Sequence, residues 1–189
     1  MQTDMVTTLL NKFNDMIDSL LDDYSQFRDD EQALAFLAKR TRNFISSTNL
    51  ALNNIVFTLI EKMNNEDYDI SDEIQASKQM INHIFEQMTE SVNHILEHEN
   101  DEEEEEHVHD HNHEHHVHVD VEGVQDDIDK LQKYLKILKK IFISLISIII
   151  SFIKYQTNET EEKDFIEDYA NFKEDINSYI NEFEETTKL

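Results

Sequence analysis

The residues in this sequence best suited to chemistry are histidines. His107, His109, His111, His113, His115, His116 and His118 alternate with Asp110, Glu114 and Asp120, directly after the acidic run Glu102 to Glu106. Neutral imidazole nitrogens are ligands for zinc, copper and nickel, and neighbouring carboxylates either ligate or orient the rings. In an extended segment the alternation puts His107 to His115 on one side, where several can reach one ion. The pattern points to Zn2+ or another divalent transition metal, without fixing coordination number or purpose. A plainer reading of the same composition is a solvated low-complexity linker with incidental metal affinity. Free histidine also titrates at about pH 6.5, so acid would draw the tract onto the glutamates beside it.

A more rigid candidate lies upstream. His94 and His98, spaced i,i+4, share a helix face with Glu90 one turn earlier. His83 lies towards the same polar side, and an ordinary solvated helix face accounts for all of these residues equally well.

Other chemistries are excluded by what is missing. With Gly123 as the sole glycine, neither a phosphate-cradling loop nor a dinucleotide fingerprint can be written. There is no cysteine, and no serine sits in a nucleophile-elbow turn. A di-iron bundle needs Glu-x-x-His on core-facing helices, but here that spacing occurs only as Glu104 to His107 and Glu106 to His109, inside the tract. The expectation is a chain that is not an enzyme.

The elements that must position these histidines are helices. Zero proline and one glycine remove the residues on which tight turns depend, leaving long helices with few breaks. With 42 acidic against 16 basic residues the formal charge is -26, which repels nucleic acid and anionic membrane surfaces at long range. The small cluster Lys39, Arg40 and Arg42 reads as an ion-pairing face and not a nucleic-acid site. Met1 to Leu10 has neither a basic leader nor a following apolar run, so no signal peptide is expected and the cytoplasm is the default location.

Steps of three and four define a first helix from Val6 to Phe27 and a second from Leu34 through Phe44, Leu52, Ile55, Val56 and Leu59 to Met63. Breaks are expected at Arg28 to Glu31 and at Asn64 to Asp69. Ser71, followed by Asp72 and Glu73, marks the start of a third helix, which runs along Ile74, Ile81, Ile84, Met88 and Ile95 into the acidic tract. A fourth helix covers about Val124 to Gln156. Asn158 with Glu161 reads as the cap of a fifth, which carries Phe165, Phe172, Ile176 and Phe183. The predicted fold is all-α: one antiparallel bundle of about five long amphipathic helices over residues 1–189, with an acidic, His-rich loop at 99–122 between helices three and four.

The fourth helix holds the most apolar run in the chain, Ile141 to Ile153. Lys130, Lys133, Lys140, Ser144, Ser147, Ser151 and Lys154 follow one another around it as a single polar seam. A helix apolar on all sides but one belongs at the centre of a bundle. A membrane span needs ~20 apolar residues, and this run is shorter. In outline the architecture resembles helical pore-forming toxins, and the tract is similar to the His-rich loops of zinc transporters; neither likeness rests on a motif that carries residues over.

The sequence thus supports an interaction or scaffold protein with a metal-binding His-rich loop, partnered by another protein or by further copies of itself. One alternative is a membrane-active bundle that releases helix 137–155 under acid or metal control. Another is an acidic mimic of nucleic acid, which follows from the charge alone.

Overall fold

A computed structural model describes residues 2–63, 70–105 and 121–187. Its elements are α1 (Gln2–Gln26), α2 (Glu31–Ala51), a π-helical turn (Leu52–Val56), α3 (Phe57–Met63), α4 (Ser71–Glu105), α5 (Val121–Gln156) and α6 (Glu162–Thr187). Because α2, the π turn and α3 run on without interruption, they form one rod, and the architecture is the expected five-rod helical bundle. The predicted break at Asn64 to Asp69 lies outside the described residues.

Cross-helix contacts fix the directions. Arg40 pairs with Asp23 and Ser19 while Tyr24 meets Thr41, which ties α2 to the C-terminal half of α1. Lys139 reaches Asp18 at one level of α5 and Arg28 reaches Asp129 at another, so α1 and α5 are antiparallel. Phe165 packs on Phe152 and Phe183 on Tyr134, which sets α6 against α5 in the same sense. The helices α1, α2, α4 and α5 close a four-membered ring, each touching the next, and α6 lies along the α4/α5 side.

α5 is the centre, touching α1, α4 and α6. Ile141, Phe142, Leu145, Ile146, Ile148 and Ile149 are all buried, and Ile150, Phe152 and Ile153 pack at the core's margin. The polar seam holds as far as Lys140 and then departs from expectation. The water-facing edge continues through Ile143 and Ser147, whereas Ser144 and Ser151 are buried. Ser151 is drawn inward by a partner, since its hydroxyl donates to Asp168 Oδ2 on α6 at 2.6 Å. Among the described residues no helix is long and apolar enough to cross a membrane.

Two local predictions are corrected. The stripe assigned to the second helix ran through Leu52, Ile55, Val56 and Leu59; the structure buries Leu52 and Val56, adds Phe57 and Ile60, keeps Leu59 at the core's margin and leaves Ile55 42% exposed. The π turn is the reason: Phe57 N–H bonds to Leu52 C=O, five residues back, and this extra residue advances the helical phase by one position. Asn158 is not the cap of α6. It adopts φ 58° and ends α5, with its N–H bonded to Tyr155 C=O and Glu159 N–H to Lys154 C=O. That is a Schellman closure, for which asparagine substitutes where glycine is absent. α6 is opened instead by Asp164, whose carboxylate accepts from Glu161 N–H at 3.1 Å.

Candidate metal-binding end of the bundle

α4 ends and α5 begins at the same end of the bundle, and the segment between them carries the histidine tract. His107, His109, His111, His113, His115, His116 and His118 lie outside the described residues. Of the upstream candidates, Glu90 and His94 are exposed on α4, and the backbone of His98 continues that helix. His83 pairs locally with Glu86 at 3.5 Å on open surface, as a solvated helix face would.

His94 differs from His83 in reaching another helix. Its Nδ1 lies 3.4 Å from Oδ1 of Asp127 on α5, with the Asp127 side chain only 9% exposed and the imidazole half exposed. A carboxylate facing Nδ1 favours the tautomer that carries its proton there and leaves Nε2 with a free lone pair, the arrangement found behind metal-bound histidines. Two groups do not make a metal site, and among the described residues no cluster of three or more His, Asp or Glu could hold an ion. The pair is a single oriented imidazole on α4, about three turns before that helix ends.

Asp127 escaped the sequence reading because it stands in the acidic group Asp126, Asp127 and Asp129, which resembles any solvated helix start. Its helical phase was the available signal. Val124, Ile128, Leu131 and Tyr134 mark the inner face of α5, and Asp127 falls among them, so a carboxylate occupies a position where burial is costly without a partner. Two turns along α5 from Asp127, burial raises the pKa of the Tyr134 hydroxyl and the carboxylate of Glu90 raises it further. Its ring also packs on Phe183 of α6.

Of the basic cluster on α2, Arg40 is committed to Asp23 and Ser19 as an ion-pairing residue. Lys39 and Arg42 are exposed and have no ion pair among the described residues.

No protein-family model matches the chain, and neither the curated proteins nor the solved structures contain a match to it.

Proposed function

We propose that the chain is a non-catalytic helical-bundle interaction protein whose acidic, His-rich segment between α4 and α5 binds zinc or another divalent transition metal. The observation that carries the reading is the His94–Asp127 contact at 3.4 Å. It ties the last third of α4 to the first turns of α5, so both ends of the tract leave from joined helices. A short closed segment loses less entropy on gathering its ligands around an ion than a free tail of the same composition. Metal would staple this end of the bundle or bridge two protomers.

Zinc titration followed by calorimetry and thermal melting, on the full chain and on a variant lacking 107–118, tests this. The full chain should bind and melt higher with zinc, while the deletion variant should do neither. An absence of binding, or binding that survives the deletion, removes the tract from the function. The membrane-active alternative is disfavoured by the burial of α5. Ile141, Phe142, Leu145, Ile146, Ile148 and Ile149 would all have to leave the core, at a cost on the order of 10 kcal/mol.

A further inference from the structure

The outer face of α2 and the π turn differs from the rest of the surface. From Gln32 to Ile60 the chain contains no Asp or Glu, within a molecule of formal charge -26. Two large apolar side chains stand in the open there, Phe36 at 65% and Leu50 at 63% exposure. Between them Asn43 is also exposed. At 3.6 residues per turn, positions seven apart recur on nearly one line, so Phe36, Asn43 and Leu50 form a seam along the outside of α2. Lys39 lies beside that line and Arg42 flanks it, neither with an ion pair among the described residues.

We propose that this seam is a self-association surface, on which a second copy of the chain docks by its own α2, antiparallel, about a two-fold axis through Asn43. The spacing argues for a second copy. Phe36 and Leu50 are equidistant from Asn43, so a two-fold axis there lays Phe36 of one copy on Leu50 of the other, twice. Isologous interfaces require this self-complementarity, whereas a foreign helix does not. On the axis Asn43 meets its own counterpart, and two carboxamides can each donate to and accept from the other. A polar residue on an otherwise apolar seam sets register in helix pairs. Charge selects the same face, because two chains of -26 repel wherever carboxylates confront carboxylates. Here α2 from Gln32 to Ala51 carries none, and Lys39 and Arg42 stand beside the seam in a molecule of charge -26. This surface lies on α2 and not at the α4/α5 end, so it gives the protein-contact part of the proposed function a partner without relying on the metal.

The test is sedimentation equilibrium of the full chain in EDTA at neutral pH and 0.15 M salt, over a wide concentration range. A monomer–dimer equilibrium is expected. Phe36→Glu and Leu50→Glu should each raise the dissociation constant by about tenfold or more, because each added charge enters the interface twice. Both sites are exposed, so helical circular dichroism should be unchanged. Asn43→Cys supplies an independent reading in a chain without native cysteine. Mild oxidation should link it into a covalent dimer much faster than Ser147→Cys on the exposed edge of α5. A monomer at every concentration, a dimer indifferent to both glutamates, or equal cross-linking at the two sites would overturn the proposal. A dimer seen only with zinc and lost on deleting 107–118 would also overturn it, while supporting the metal reading.

Discussion

Two stretches of equal length in this acidic chain contain no carboxylate: Gln32 to Ile60 and Lys130 to Asn158. They have opposite fates. The second, most of α5, is the core of the bundle, and two of its lysines at the rim are answered by neighbours, Lys139 by Asp18 at 2.7 Å and Lys140 by Glu182 at 3.1 Å. The first gives the core one face of α2 and leaves Phe36, Leu50, Lys39 and Arg42 outside. Apolar content on three sides buries a helix, whereas on one side it makes a wall with an outer surface. Freedom from carboxylates therefore serves packing in α5 and leaves a contact face in α2.

The strongest way to break this comparison is to make the same substitution in both stretches. Phe142 is 1% exposed and packs against Phe13 with ring centroids 5.0 Å apart. Phe142→Ala should cost about 3–5 kcal/mol of unfolding free energy in urea. Phe36→Ala should change it by no more than about 0.5 kcal/mol at concentrations where the chain is monomeric. Comparable losses at the two sites would mean that the outer face of α2 is already covered within one chain.

How the inner face of α2 is anchored can be read from pH. Burial pushes the Tyr24 hydroxyl up to about 12 from an ordinary value of 10.0, against smaller opposing effects of the Thr41 hydrogen bond and the Arg40 charge. The phenol is neutral when protonated, so the folded state holds this proton more tightly than the unfolded chain. The stability at stake is fully present below pH 10, falls as pH rises from there, and is gone above about 12. Two pKa units correspond to about 3 kcal/mol. Burial also raises Tyr134 and Tyr169, which pull in the same direction. Alkaline titration by tyrosinate absorbance, native against urea-unfolded, should show the native midpoint displaced upward, and a coincident pair of curves would refute it.

Thr41 and Thr48 refine the point, since both are buried on that face. Thr41 lies 2.6 Å from the Tyr24 hydroxyl, whereas the Thr48 hydroxyl has no partner among the described residues. Removing one half of a buried hydrogen bond strands the other, so Thr41→Val should cost about 1–3 kcal/mol. Thr48→Val should be neutral or mildly stabilising, because it deletes a polar group that is desolvated without return. Equal effects in urea melts would show that Tyr24 finds another acceptor.

The bundle was legible in the sequence because its signals are redundant: every rod repeats its apolar stripe over several turns, and one ambiguous position changes little. What was not legible depends on single residues. The π turn is encoded in no periodicity, and it becomes visible only when Phe57 and Ile60 turn fully inward while Ile55 is left exposed. Ser144 and Ser151 look alike on a wheel from the water-facing Ser147, and only Asp168, on another helix, explains why Ser151 turns inward. Spacing singled out His94 as a candidate, but the contact it makes with Asp127 was not legible, because Asp127 belongs to a helix far along the chain and such pairing is settled by which rods become neighbours.

The smallest expected effect sharpens the electrostatic side of the comparison. Lys139 is paired with Asp18 across the α1/α5 seam, both partly exposed, whereas Lys39 has no ion pair among the described residues. Exposed ion pairs are screened by water and salt, so Lys139→Met should cost only about 0.2–1 kcal/mol, and less in 1 M salt than in dilute buffer. Lys39→Met removes a positive charge without breaking a pair. Its effect on monomer stability should be within about 0.5 kcal/mol, and any residual loss reflects the general attraction of a cation to a chain of charge -26. That attraction is screened by salt as well, so a double substitution separates the two cases. Lys139→Met should lose its cost when Asp18 is already Asn, whereas Lys39→Met should cost the same in either background. If Lys39 also couples to a carboxylate on α1, its charge is satisfied within the chain, as that of Lys139 is by Asp18.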